Sequence, residues 1–407
     1  MPTSTTMHAL SRATSATFMI IKPRIRGFIC TTAHPTGCAA LIDRQISWEK
    51  TQGPLARPPR NVLVIGGSGG YGLASRIVTA FGGGARTVCL SFEKEPSAER
   101  TASAGWYNNL AFDRAAAAQN LYARSINGDA FSDQTKAQVA EIVRHDLGGL
   151  DLLVYSVAAP VRTDPTTGVL YRSAIKPVGR TVHIKTLNVE KGVVHDIDLA
   201  PASDAEVQST VKVMGGEDWE RWVTYLHQQK LLQTGFRTVS FTYIGSELTW
   251  PIYWEGTLGK AKEDLDRAAL AIRHELAALQ GEARVAVLKA VVTQASSAIP
   301  VVPLYVALLF KVMKEKNLHE DCIRHIDRLF RTQLCTEGVP RLDHVGRLRV
   351  DDWELREDVQ AEVRRRWEAV ETDNVMELSD LEGFRRDFLR IFGFEVEGVD
   401  YDADVTP

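Results

Sequence analysis

The chain has little excess charge of either sign. Lys and Arg number 48 and Asp and Glu 51 among 407 residues, a formal net charge of −3, with neither a basic tail nor a long run of like charge. That balance argues against a nucleic-acid or anionic-membrane partner. Cysteine is also scarce: Cys30, Cys38, Cys89, Cys322 and Cys335 are too few and too scattered for a disulfide framework, so a reducing compartment, the cytoplasm, is expected. Long hydrophobic runs are missing. The longest, "AIPVVPLYVALLF" from Ala298 to Phe310, holds two prolines and falls short of the roughly 20 residues needed to span a bilayer, so it predicts a buried helix and no membrane span. Acidic residues are absent before Asp43, and residues 1–18 carry Ser, Thr and one arginine, Arg12. Without an amphipathic pattern, this segment is expected to be a disordered extension; a transit segment, and with it a mitochondrial location, is the alternative. The cluster "CTTAHPTGC", with Cys30, His34 and Cys38, has ligand types that suit zinc. It lacks a fourth ligand, and the proline after His34 marks a turn, so a packed loop and no metal is expected.

The length allows two or three domains, or one large α/β domain with excursions. "NVLVI" (61–65) is a short apolar run, "GGSGGYG" (66–72) a turn, and "LASRIVTAF" (73–81) has helical spacing: strand, loop, helix. "TVCLSF" (87–92) and "LDLLVYSVA" (150–158) are further strands, the latter continuous enough to be buried on both faces. "TVHIKTLNVEKGVVHDIDL" (181–199) predicts a β-hairpin around Lys191-Gly192, "RTVSFTYI" (237–244) another strand, and residues 257–280 a helix. The expected fold is α/β, a Rossmann-type doubly wound parallel sheet with a β-hairpin and helical substrate-side insertions. Residues 19–400 form its single domain, with insertions within 160–250, and 401–407 form a tail.

Gly67, Gly69 and Gly72 satisfy G-x-G-x-x-G directly between a strand and a helix. Glycines there let the backbone approach a pyrophosphate, whose charge sits at the helix N-terminus. The match gains weight from Glu93, which closes the next strand about 20 residues on, where an acid hydrogen-bonds the adenosine ribose. A carboxylate there repels the 2′-phosphate of NADP, so NADH is the expected cofactor. Asp129 and Ala130 follow the third strand and could border the adenine; Val157 and Ala158 end the fourth, where open sheets place ligands. Strand-end packing is the plain alternative for each.

A reductase moving hydride must also move a proton, and a phenol beside an ammonium is one suitable donor. The short-chain dehydrogenase spacing, with three residues between Tyr and Lys, is absent: none of the ten tyrosines has a lysine four positions later. Instead "PIYWEGTLGKAK" sets Tyr253 and Lys262 with eight residues between them, Gly256 and Gly259 among the eight. The reading is a loop tyrosine and a lysine on an early helical turn, brought together by a fold-back that the glycines permit.

"GGSGGYGLASR", "TASAGWYNNLAFD", "SINGDAFSD", "TDPTTGVLYRSAIKPVG", "VMGGEDWE", "YIGSELTWPIYWEGTLGKAK" and "VVTQASSAIPVVPLY" resemble the FabV-type trans-2-enoyl-CoA and enoyl-ACP reductases, enlarged relatives of the short-chain dehydrogenases. The likeness runs from Met19 to near the C-terminus. It implies Tyr253 as proton donor, Lys262 as its partner and a ribose contact, and Tyr243 as a substrate contact near the thioester. It further implies that Gly66, Gly67, Ser68, Gly69, Gly70, Tyr71, Phe92, Glu93, Asp129, Ala130, Val157, Ala158, Val292, Thr293 and Gln294 contact the cofactor. Trp254 stands where the family often has a smaller or polar residue. The implied reaction is NADH-dependent reduction of the trans-2 double bond of an enoyl thioester on coenzyme A or acyl carrier protein, by a monomer, with Ala298 to Phe310 lining the acyl chain. A ketone or ketoacyl reductase of the short-chain type is the rival enzyme reading, and a catalytically silent dinucleotide sensor the rival outside enzymes.

Overall fold

Period-two alternation places successive side chains of each central strand on opposite faces, and both faces are covered. The computed structural model describes residues 19–406 apart from Phe28 and Ala98, so the expected extension, residues 1–18, lies outside the described residues. The chain runs through β1 (Ile25–Arg26), β2 (Ile29–Cys30), α1 (Pro35–Thr51), β3 (Asn61–Ile65), α2 (Gly70–Ile77), β4 (Arg86–Ser91), α3 (Ala104–Ala118), β5 (Ala123–Asn127), α4 (Asp133–Ile142) and β6 (Leu150–Tyr155). Two short hairpins follow, β7 (Val161–Thr163) with β8 (Leu170–Arg172) and β9 (Val182–Asn188) with β10 (Val193–Leu199). Then come α5 (Asp204–Met214), α6 (Glu217–Gln228), β11 (Leu232–Thr242), α7 (Thr257–Glu275), β12 (Glu282–Val287), α8 (Val302–Glu315), α9 (Cys322–Leu329), β13 (Leu348–Arg349), α10 (Glu357–Ala369), α11 (Val375–Leu378) and α12 (Leu381–Ile391).

Seven strands form one parallel sheet in the order β13-β12-β11-β6-β3-β4-β5, the doubly wound architecture expected from the sequence. On one face Val62, Val64, Leu152 and Val154 pack with Ile42 of α1, Ile77 of α2, Phe112 of α3 and Ile326 of α9. On the other, Leu63, Ile65, Leu153 and Val285 meet Val139 of α4, Trp219 and Trp222 of α6, and Ile272 of α7. Thus α6, inside the stretch expected to hold insertions, covers the sheet itself. The strand order reverses between β3 and β6, so their carboxyl ends open the crevice where such sheets bind ligands.

A third core surrounds α8. Leu304, Tyr305, Val306, Ala307, Leu308 and Leu309 are wholly buried among Ile184 and Val194 of the β9–β10 hairpin, Val359 and Val363 of α10, and Phe384 and Phe388 of α12. The apolar run is therefore the buried helix it was read to be. The segment expected to be a tail is packed: Tyr401 accepts from Val396 N at 2.8 Å, and Val405 bridges to Met19. His34, expected in a packed loop, instead caps α1, its Nδ1 accepting from Gly37 N at 3.1 Å, and Cys38 lies within that helix.

Candidate active site

The glycine turn is shaped by contacts that a Cβ would destroy. At Gly66, where φ is +82°, a Cβ would lie 2.1 Å from Ser156 O, and at Gly72 one would lie 2.1 Å from Gly66 O. Around Gly69 nothing lies within 4 Å of that position, so the loop is closed toward the sheet and open outward, as a pyrophosphate seat requires. Ser68 Oγ donates to Glu93 Oε1 at 2.5 Å, and Ser103 donates to the other carboxylate oxygen. Glu93 N donates to Asn127 Oδ1 at 2.8 Å, so the ends of β4 and β5 are stitched side by side. Asn108 Nδ2 holds Ser68 O at 2.9 Å. Phe92, 79% exposed, presents a free ring beside this carboxylate.

The remaining cofactor candidates fall around the same crevice. Asp129 closes a turn by accepting from Phe131 N at 2.9 Å, while the Ala130 carbonyl accepts from Lys136 and Trp222. Val157 and Ala158 directly follow the Ser156 that packs on Gly66. Val292, Thr293 and Gln294 lie beyond the end of β12, and a Cβ on Gly70 would sit 3.6 Å from the Thr293 methyl, which brings this distant segment to the phosphate loop. Tyr71 spends its hydroxyl on Lys289 O at 2.6 Å and its ring packs edge-on to Phe241, so only its backbone remains to meet a ligand.

Tyr253 lies in the turn before α7 and Lys262 on its second turn. The glycines between them are needed for the fold-back: a Cβ on Gly259 would stand 1.7 Å from Trp254 O, and one on Gly256 2.4 Å from Ile252 O. Gly259 N then donates to Tyr253 O at 2.9 Å. Lys262 Nζ donates to Phe241 O at 3.3 Å, near the carboxyl end of β11. Two residues on, the Tyr243 ring meets the Tyr253 ring edge-on, with centroids 5.0 Å apart at 89°. Burial pushes the Tyr253 phenol above its ordinary range, and no hydrogen bond reaches its hydroxyl among the described residues. Burial lowers Lys262 to about 8, against a smaller opposing pull from Asp266. Trp254 lies under the Arg347 guanidinium, 5.2 Å from ring centroid to carbon.

Behind these tyrosines lies a carboxylate that sequence reading missed. Glu354, wholly buried, accepts from Tyr243 and from Tyr305 on α8, each at 2.8 Å to Oε1, and from Ala290 N at 2.6 Å to Oε2. Gln360 Nε2 closes the set on Tyr305 Oη at 3.1 Å. Ser103 and Asn108 were also missed, although both stand in "TASAGWYNNLAFD"; Glu354 carries no local signal, its partners lying 49, 64 and 111 residues away.

A glycine cradle at the switch point, with a buried phenol and a buried ammonium near the carboxyl end of β11, fits a nicotinamide-dependent reductase. The comparisons with known proteins narrow that class. Residues 100–335 match the trans-2-enoyl-CoA reductase catalytic region, residues 20–98 the NAD(P)H binding domain of trans-2-enoyl-CoA reductase, and residues 342–405 a model described as an enoyl reductase FAD binding domain. The NADH enoyl-[acyl-carrier-protein] reductase FabV of Aeromonas salmonicida is 55% identical over 96% of this chain and 98% of its own, and that of Edwardsiella ictaluri 53% over the same shares. The crystal structure of Treponema denticola trans-2-enoyl-CoA reductase with NAD aligns at a TM-score of 0.92 and 49% identity, covering 95% of this chain and 98% of that one. The chain belongs to the trans-2-enoyl-CoA and FabV enoyl-[acyl-carrier-protein] reductase family.

The flavin implied by the third match does not fit residues 342–405. Their apolar side chains, Val359, Val363, Phe384 and Phe388 among them, are packed against α8. At Gly393 a Cβ would lie 2.5 Å from Cys38 N and from His34 O, so that backbone is already covered by protein. Among the described residues this segment forms no strand–glycine turn–helix cradle, and no step is derived through a flavin.

Proposed function

We propose that Tyr253 donates the proton and Lys262 supports it in the NADH-dependent reduction of trans-2-enoyl thioesters. The observation that carries this reading is the juxtaposition at the end of β11: a buried phenol with a free hydroxyl, edge-on to Tyr243, and the Lys262 ammonium anchored on Phe241 O. When bound, NADH supplies the hydride to the β-carbon. Negative charge then develops on the thioester oxygen, where the Tyr253 hydroxyl stabilises it before a proton reaches the α-carbon. Lys262 favours proton loss from the phenol and holds the nicotinamide ribose. Gly66 to Tyr71 seat the pyrophosphate, Glu93 takes the adenosine ribose with Phe92, Asp129 and Ala130 around the adenine, and Val157, Ala158 and Val292 to Gln294 border the nicotinamide half. Tyr243 walls the substrate side.

No helix among the described residues is long and apolar enough to cross a membrane. We infer a cytoplasmic protein, since its five free cysteines suit a reducing compartment, and a monomer, as the family resemblance implies. Its substrates are enoyl groups carried on coenzyme A or acyl carrier protein. The test is NADH oxidation with crotonyl-CoA beside acetoacetyl-CoA. Turnover of the first, falling about 10²-fold in Tyr253→Phe with NADH affinity retained, is expected. Turnover of the ketone alone would move the chain to the ketoacyl reductases, and turnover of neither to a sensor.

A further inference from the structure

Of the two phenols that face each other in the site, one has its proton committed. A tyrosine hydroxyl has one hydrogen to give, and that of Tyr243 goes to Glu354 at 2.8 Å. The carboxylate is in turn fixed by the Tyr305 hydroxyl and by the backbone N–H of Ala290, and it is wholly buried. Three donors on one buried carboxylate leave it little freedom to turn away, since any rotation would leave a buried donor unpaired. Glu354 sits between β13 and α10, Tyr305 on α8 and Ala290 after β12, so the bond ties three parts of the fold to the ring that packs edge-on against Tyr253.

We propose that Glu354 is a positioning residue for the reduction: it pins the Tyr243 ring against Tyr253 and withholds the Tyr243 proton, so that Tyr253 is the phenol of the pair with a proton free for the thioester oxygen. This rests on the reading of Tyr253 as proton donor. Glu354 reaches the reaction through Tyr243, and its loss should therefore appear in turnover and leave cofactor binding alone.

The test is a double-mutant cycle on crotonyl-CoA reduction. In Glu354→Gln the amide has the carboxylate's shape, but Ala290 N–H holds its oxygen, which turns its NH2 to the phenols and reverses both hydrogen bonds. We expect kcat to fall about tenfold or more, with the KM for NADH within about twofold of wild type. In a Tyr243→Phe background the same substitution should cost less than about twofold more, because the route through Tyr243 is already gone. Independent losses that multiply would overturn the proposal, as would an unchanged kcat in Glu354→Gln. Should Glu354→Gln fail to fold, Tyr243→Phe decides, since it removes the hydroxyl that Glu354 holds and keeps the ring. A kcat within twofold of wild type would overturn the proposal, and a tenfold fall with NADH affinity retained would support it. A wild type inactive on crotonyl-CoA would overturn the functional reading and this inference together, whereas an active wild type matched by Glu354→Gln would overturn the inference alone.

Discussion

Two side chains decide how the site responds to pH and to cofactor. The Tyr253 phenol is raised by burial and stays protonated across the working range, whereas Lys262 is lowered to about 8. The cation is therefore present below that value and lost as pH rises through it, so kcat/KM, which reports the free enzyme, should fall on an alkaline limb near 8. Lys262→Met should remove that limb, lower turnover and raise the KM for NADH through loss of the ribose contact; a limb that persists in the variant would assign it elsewhere. On the function proposed above, cofactor choice rests on Glu93. Its carboxylate is held by Ser68 and Ser103 at the edge of the phosphate loop, so it is preset to accept from a ribose and to repel a 2′-phosphate. A charge-assisted bond of about 1.5–3 kcal/mol is lost in Glu93→Ser, which should cut kcat/KM for NADH about tenfold or more while raising it for NADPH. Equal losses with both cofactors would show Glu93 to be a support for the loop alone.

Among the elements, the turn from Pro251 to Gly256 and the start of α7 tolerate little change. Gly259 packs on Trp254 O, and its N–H holds Tyr253 O, so Gly259→Ala must push apart the backbone that sets the proton donor. We expect a loss of about 1–3 kcal/mol in stability, the scale of overpacking, and a fall in kcat of at least tenfold. A melting curve and one turnover assay check both, and wild-type values in each would show that the turn has slack. The turn itself was legible in the sequence because Gly256 and Gly259 precede and open the helical run, although the spacing alone would equally suit a packed loop tyrosine and a surface lysine. The central strands were legible too, since "NVLVI" and "LDLLVYSVA" are buried on both faces and bounded by turn residues. The outer strands β12 and β13 were not. "EARVAV" is too short to stand out beside α7, and β13 is two residues whose pairing is set by tertiary contact. Glu354 was illegible for a related reason: a buried carboxylate is recognised by its donors, and these come from Tyr243, Ala290 and Tyr305.

At the scale of the whole molecule, the N-terminal helix and the second half of the sheet are joined through a buried charge cluster. Glu49 of α1 and Asp327 of α9 share the Arg331 guanidinium, with Glu49 Oε1 3.0 Å from Arg331 Nη2. Two carboxylates on one cation leave an excess negative charge, and Glu49 is wholly buried with Oε2 unpartnered. Burial first, and the like charge of Asp327 second, raise the Glu49 carboxyl well above its ordinary range. The folded chain therefore keeps a proton that the unfolded chain releases above about pH 4.3. Stability must fall as pH rises from there to the raised folded value and level off beyond it, with a slope of at most about 1.4 kcal/mol per pH unit from this group. Glu49→Gln carries no such proton, and its amide keeps an oxygen for Arg331. Urea unfolding from pH 5 to 9 should show the variant gaining on wild type as pH rises, whereas parallel curves would mean that Arg331 compensates both carboxylates and Glu49 is ionised throughout.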